Sequence, residues 1–397
     1  MKNSIFRRFS VLALAALLLL AFAAPAAAWE EAGDTPGASP RPTEEAGDMP
    51  GASPRPTEEA GDPWGNPVIV DPFRWYDYEQ MTFDLAALAE RYPALVTLDS
   101  IGQSLEGRDI PLLRVGRGER IVLMCAAIHA REYETAAFAM YMAEQYCRGY
   151  VSGGEIGGLS CREILDGVTF VIVPLLNPDG ADISRRGEAA AAERPGLADL
   201  PIVDAPYEGW HAWKSNARGV DLNRNWPYLW NNWDKCGVPA SAEYAGPEPL
   251  SEPETQAMMA LIESTPFWAF CSLHSAGNCV YWIDSSNPPE LYDRLWPTAW
   301  RVAASLGYRL MPSEDVSRFG GYMVNWCRAA YGRPCMTVEI GPYLGHYPYR
   351  DWETLRWTAF RALPLGLILG DEVLKMPAEA GPGADHSVPG ASPRPTM

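Results

Sequence analysis

The sequence predicts an α/β fold, one domain built on a mixed, largely parallel central β-sheet flanked by helices. Three observations carry that expectation. Short apolar runs alternate along the chain with longer stretches of helical spacing. Several of those runs are apolar throughout, which marks strands buried on both faces rather than strands with one wet face. The polar residues with chemical potential stand where the runs end, and open α/β sheets place their sites at that edge.

Taken in order, order is expected to begin near Asp71, and residues 78–92 carry Met81, Leu85, Leu88 and Ala89 at helical spacing. Residues 97–101 and 110–115 read as strands. Residues 120–128 form a β-rich apolar run that stops at His129, and residues 131–146 then have helical periodicity. Residues 168–176 are a further apolar strand, closed by a turn at Asn177-Pro178-Asp179-Gly180. Residues 252–264 read as a helix, 267–273 as a strand ending at His274, and 336–340 as another strand. Residues 352–369 read as one closing helix, with order expected to end near Met376.

The 397 residues are 47% hydrophobic and 21% charged, enough material for a sizeable core without external staples. A formal charge of -18 with no cluster of Lys and Arg argues against a nucleic-acid partner. Lys2, Arg7 and Arg8, the apolar residues 11–23 and then Ala26-Ala27-Ala28 form a signal-peptide pattern over residues 1–28, with cleavage expected after Ala28. The apolar run is shorter than the roughly 20 residues a spanning helix needs. The expectation is therefore a secreted monomer with no membrane span in the mature chain.

Eight cysteines in an exported chain lead us to expect disulfides. The pairs close in sequence are Cys147 with Cys161, Cys271 with Cys279, and Cys327 with Cys335, although spacing does not determine connectivity. Residues 29–70 repeat a Pro-, Gly-, Ala- and Glu-rich phrase that cannot build a core, and PGASPRPT returns at residues 389–396. A spacer at 29–70 and a tail at 377–397 would thus flank a catalytic domain at 71–376.

His129-Ala130-Arg131-Glu132 leaves a buried strand and enters a helix, so an imidazole and a carboxylate can converge at the sheet's edge. His274 ends another strand of the same inferred sheet. Two His and one Glu leave a coordination position open, the pattern of a catalytic rather than a structural zinc. Glu339, in Thr337-Val338-Glu339-Ile340, is a carboxylate ending an apolar strand, and a general base beside an activated water would use it. In Gly219-Val220-Asp221-Leu222-Asn223-Arg224-Asn225-Trp226, the Arg224 fork beside Asn223 suits a carboxylate. Asp221 can take the second ring proton of a ligand histidine and set its tautomer.

Together and in this order, the segments resemble the zinc carboxypeptidase family of pancreatic carboxypeptidases A and B, from about Tyr76 to about Leu369. The resemblance implies one zinc held by His129, Glu132 and His274, with Glu339 as the base of a promoted-water hydrolysis of the C-terminal peptide bond. It implies Asp221 behind a ligand, Asn223 and Arg224 clamping a terminal carboxylate, and Arg131 binding substrate. In Trp213-Lys214-Ser215-Asn216, Lys214 takes the place of the family's oxyanion-stabilising Arg, with Arg218 as the substitute. The family's mobile Tyr has no good counterpart, Tyr322 being displaced, and Val324 falls at the pocket floor. The phrasing around Lys214 and Arg224 is similar to the bacterial branch that includes γ-D-glutamyl-diamino-acid peptidases acting on cell-wall peptides. Protein or peptide C-termini and murein stem peptides are therefore the two substrate classes implied.

Overall fold

The computed structural model describes residues 69–72, 76–203, 209–232, 236–316, 320–342 and 352–382. The expected signal peptide, nearly all of the spacer and most of the C-terminal tail lie outside these residues.

Eight strands form one sheet: β1 (Val96–Gln103), β2 (Asp109–Gly116), β3 (Arg120–Ala126), β6 (Val168–Val173), β7 (Phe267–His274), β8 (Cys279–Tyr281), β9 (Arg309–Leu310) and β10 (Cys335–Glu339). The short pair β4 (Glu155–Ile156) and β5 (Leu159–Ser160) stands apart as a hairpin. The order across the sheet is β1-β2-β6-β3-β7-β10-β8-β9. Its centre, β6, β3, β7 and β10, is parallel, while β1, β2 and β8 join antiparallel. The mixed, largely parallel sheet expected from the continuous apolar runs is thus present.

The side-chain period of two divides each central strand between two cores. Val122, Met124 and Ala126 of β3 face one core with Phe170 and Ile172 of β6 and Met336 and Val338 of β10. The helices Tyr78–Arg91, Glu134–Ser152, Pro289–Leu306 and Leu365–Lys375 cover that face. Leu123 and Cys125 point the other way, with Val171 and Val173, under the helices Pro253–Ser264 and Met323–Tyr331. Apolar on both faces, these strands could not have shown the alternation of a half-exposed sheet.

Several boundaries differ from expectation. Ile69 and Val70 are packed: their N–H groups donate to the two oxygens of Glu144 at 2.9 and 2.8 Å, so the ordered chain includes the last two residues assigned to the spacer. β3 ends at Ala126, because Ala127 takes the left-handed conformation at φ 50° and turns the chain. Asn177-Pro178-Asp179-Gly180 opens the helix Pro178–Arg186 rather than only closing a strand. The Asn177 side chain caps that helix by accepting from Gly180 N at 3.1 Å, with Pro178 in the first turn where no N–H is required. The expected closing helix is two, Trp352–Ala362 and Leu365–Lys375. Pro364 separates them, since proline lacks the N–H that would continue the ladder.

All eight cysteines are free. Cys271 and Cys279 cannot pair, because β10 lies between β7 and β8. Two interstrand spacings of about 4.8 Å exceed the roughly 7 Å over which a disulfide reaches between Cα atoms. The thiols of the other two expected pairs are buried, and burial pushes Cys161 up to about 11 and Cys335 up to about 12. No helix among the described residues is long and apolar enough to cross a membrane.

Candidate metal centre and active site

The parallel strands point their carboxyl ends to one edge, and the site is built there. β3 delivers Ala127 and Ile128 and then His129, which precedes the short 3-10 turn Ala130–Glu132 and the helix Glu134–Ser152. His274 is the last residue of β7, and Glu339, the last of β10, is its direct neighbour in register. Three residues, His129 and His274 separated by 145 positions and His274 and Glu339 by 65, thereby meet as a consequence of strand order.

His129 Nδ1 lies 3.1 Å from His274 Nδ1 and 2.9 Å from Glu132 Oε1, and His274 Nδ1 lies 3.1 Å from Glu132 Oε2. All three residues are buried, and their ligand atoms fall within 4.8 Å of one another. A ring nitrogen carries at most one proton, so two Nδ1 atoms and an ionised carboxylate meeting at this range leave lone pairs aimed at a shared point. A divalent cation suits that array, and two His with one Glu is a catalytic zinc donor set. The Nε2 atoms of both rings are buried without a hydrogen-bond partner. That of His129 faces Asp221 Oδ1 at 3.5 Å, longer than a formed hydrogen bond but placed to hold the ring's second proton. Burial alone would raise the Glu132 carboxyl, yet the two histidines hold it well below the usual range. Zinc content supplies a direct check. Purified protein should contain one zinc per chain, and His274→Ala should lose it under dialysis that leaves the wild type loaded; full retention would remove His274 from the donor set.

Asp221 stands directly behind His129. Its N–H donates to Tyr244 O at 2.8 Å, its Oδ1 accepts from Asn223 N at 3.1 Å, and its backbone oxygen accepts from Arg224 N at 2.9 Å. Its carboxyl stays far below its normal range: burial pushes upward, and Lys214 and Arg224 outweigh it. Lys214 N donates to Ser241 O at 2.8 Å, its carbonyl accepts from Ala130 N at 3.0 Å, and Nζ lies 3.5 Å from Asp221 Oδ2. Of the two candidate cations, Lys214 is the one beside Asp221. Arg218 is turned away, its guanidinium donating to Glu252 Oε2 at 3.1 and 2.9 Å.

Arg224 is buried, with its guanidinium stacked over the Tyr322 ring at 4.4 Å from the centroid. Asn223 Oδ1 accepts from Met323 N at 3.2 Å, at the start of the helix Met323–Tyr331. Tyr322 is therefore the platform beneath the Arg224 fork rather than a misplaced mobile side chain. Gly321 makes this approach possible: at φ +76°, a Cβ there would stand 1.9 Å from the Arg224 carbonyl oxygen. Val324 is buried among Leu222, Trp226 and Met323 in the second core. Arg131 lies buried between the ligands His129 and Glu132, and with His274 and Lys214 it acts on Glu339. Desolvation raises the Glu339 carboxyl to about 7; Glu132 adds to the rise, and His274, Lys214 and Arg131 oppose it.

Two contributors escaped the sequence reading. Ser275 donates from its N–H to Glu132 Oε2 at 3.3 Å and from its hydroxyl to Glu134 Oε1 at 2.7 Å, tying the end of β7 to the ligand helix. Its adjacency to His274 was the available signal. Glu243 stands between Lys214 and Arg224, in a loop whose sequence has no periodicity to mark it.

A two-histidine, one-glutamate donor set at the carboxyl edge of a parallel sheet, with a buried carboxylate in register beside it, is an arrangement that suits a metal-dependent hydrolase. The model of one family, described as zinc carboxypeptidase, matches residues 81–332, and the chain belongs to that family of zinc peptidases. Among its relatives, γ-D-glutamyl-L-diamino acid endopeptidase 1 of Lysinibacillus sphaericus is 30% identical over 298 residues, covering 74% of this chain and 72% of that protein. Carboxypeptidase B of Astacus astacus is 27% identical over 241 residues, 58% of this chain and 66% of the relative. Thrombin-activatable fibrinolysis inhibitor shares the fold, with a TM-score of 0.62 at 20% identity over 78% of this chain and 80% of its own.

Proposed function

We propose that this chain is an exported zinc peptidase that hydrolyses the amide bond preceding a terminal residue, which it recognises by that residue's free carboxylate. The observation carrying this reading is the Arg224 guanidinium, buried, stacked on Tyr322 and linked through Glu243 to Lys214 beside Asp221. A planar fork held in one orientation suits bidentate recognition of a carboxylate. His129, Glu132 and His274 would hold the zinc, which when bound supplies Lewis acidity and a water that ionises near neutral pH.

The remaining work belongs to the chain itself. Glu339 takes the proton of the attacking water and passes it to the leaving amine, so its carboxyl must be able to cycle between two protonation states. Lys214 sets a positive charge toward the scissile carbonyl oxygen, a point charge where a guanidinium would offer a fork. Arg131 lies on the same side as Glu339 and suits contact with the peptide upstream of the cut.

Two substrate classes fit a carboxylate-reading site. Peptide and protein C-termini are supported by the relative named carboxypeptidase B, and cell-wall stem peptides by the 30% identical relative named γ-D-glutamyl-L-diamino acid endopeptidase 1. Zinc-loaded enzyme incubated with a mixed library of α-linked peptides and with purified L-Ala-γ-D-Glu-diamino-acid peptides separates them. Loss of a single terminal residue from either pool supports the reading. Internal cleavage of peptides blocked at the C-terminus would overturn it.

A further inference from the structure

Glu243 is fixed in the site as firmly as the residues already assigned. Its strap is stapled to the catalytic wall on both sides: Ser241 O accepts from Lys214 N and Ser215 N at 2.8 and 2.9 Å, and Tyr244 O accepts from Asp221 N at 2.8 Å. The Glu243 N–H donates to Asp221 Oδ2 at 3.3 Å, and the residue is held at φ 70°, where residues other than glycine are uncommon. Its Oε1 lies 3.6 Å from Arg224 Nη2 and 3.8 Å from Lys214 Nζ. One carboxylate thus sits between the cation that would read the substrate's terminus and the cation that would face its carbonyl.

We infer that Glu243 is a specificity-determining residue that pairs with an ammonium group borne next to the carboxylate held by Arg224, and so selects a leaving residue that is a diamino acid with a free amino-acid end. This rests on the carboxylate-reading site proposed above. A substrate bringing only a carboxylate to Arg224 sets it against Glu243 at close range, where like charges in a half-buried site repel. A carboxylate and an ammonium on one carbon remove that conflict, because the charges then alternate from Arg224 through the substrate to Glu243. The 3.6 Å between Arg224 and Glu243 matches two charges so closely spaced. An ordinary C-terminal residue cannot supply the cation, since its α-nitrogen is the scissile amide. A diamino diacid bonded through one nitrogen keeps the second beside a carboxylate.

The test compares two probes on zinc-loaded enzyme, L-Ala-γ-D-Glu-meso-diaminopimelate and its analogue ending in 2-aminopimelate, which lacks only the distal amine. Wild-type kcat/KM should favour the diamino probe by about 10- to 100-fold, the range of a hydrogen-bonded charge pair. In Glu243→Gln the ratio should fall below about threefold, and Glu243→Asp should restore part of it. Zinc content measured on each variant identifies any that has lost the site. A wild-type ratio near one, or a ratio unchanged in Glu243→Gln, overturns the assignment, as does an equal loss on both probes. Should wild type cut an α-linked peptide but neither γ-linked probe, the wall-peptide reading fails instead. The same ratio is then measured on α-linked dipeptides ending in the same two residues, and the same outcomes decide.

Discussion

Glu339→Gln should retain stoichiometric zinc and the folded sheet while losing turnover by on the order of 100- to 10,000-fold, the contribution of a positioned general base. The amide keeps the shape of the carboxyl but cannot accept a proton. Its backbone stays in register between His274 of β7 and Cys279 of β8, so the substitution does not disturb the strand that presents it. Burial pushes the native carboxyl up to about 7, and a divalent cation held beside it would oppose that rise. Steady-state turnover, zinc analysis and a melting curve on one preparation suffice. Unchanged turnover would refute the role, and lost zinc would show that the change reached the donor set.

Arg224→Ala should slow hydrolysis of substrates with a free terminal carboxylate far more than of their amidated counterparts. In the wild type, an amidated terminus leaves a desolvated guanidinium facing a group that cannot pair with its charge, which costs roughly 2 to 5 kcal/mol. About 1.4 kcal/mol corresponds to each factor of ten, so the wild type should discriminate by at least tenfold and the variant should not. Arg224→Lys is the informative companion. It keeps a charge but loses the planar fork and its fit to the Tyr322 ring 4.4 Å away, so it should recover only part of the preference. Equal cleavage of free and amidated peptides by wild type would mean that no terminus is being read.

Much of this was legible before any coordinates. The parallel centre of the sheet followed from β3, β6 and β7 being apolar throughout, a pattern that only a doubly covered strand requires. His129, Glu132, His274 and Glu339 were marked by standing at the ends of those runs, because a polar residue terminating a buried strand has few other reasons to be there. The elements that misled the reading were local. Residues 352–369 have unbroken helical spacing, and only Pro364 divides them; likewise Asn177 and Pro178 serve equally in a turn and in a helix cap.

What the sequence determined by itself was the set of ligand types, the fold class and the edge of the sheet on which the chemistry lies, because strand periodicity and donor identity are one-dimensional properties. What only the tertiary structure decided was which charges face one another. The sequence favoured Lys214 over Arg218 without placing either; in the fold one lies beside Asp221 and the other is held by Glu252. Tyr322 became the platform of Arg224, and Glu243 entered the site without any sequence signal. Cys271 and Cys279, near in sequence, are kept apart by the intervening β10. Those outcomes depend on strand order and on loops crossing between distant segments, and electrostatic pairing falls off over a few ångströms, so spacing along the chain carries no record of them.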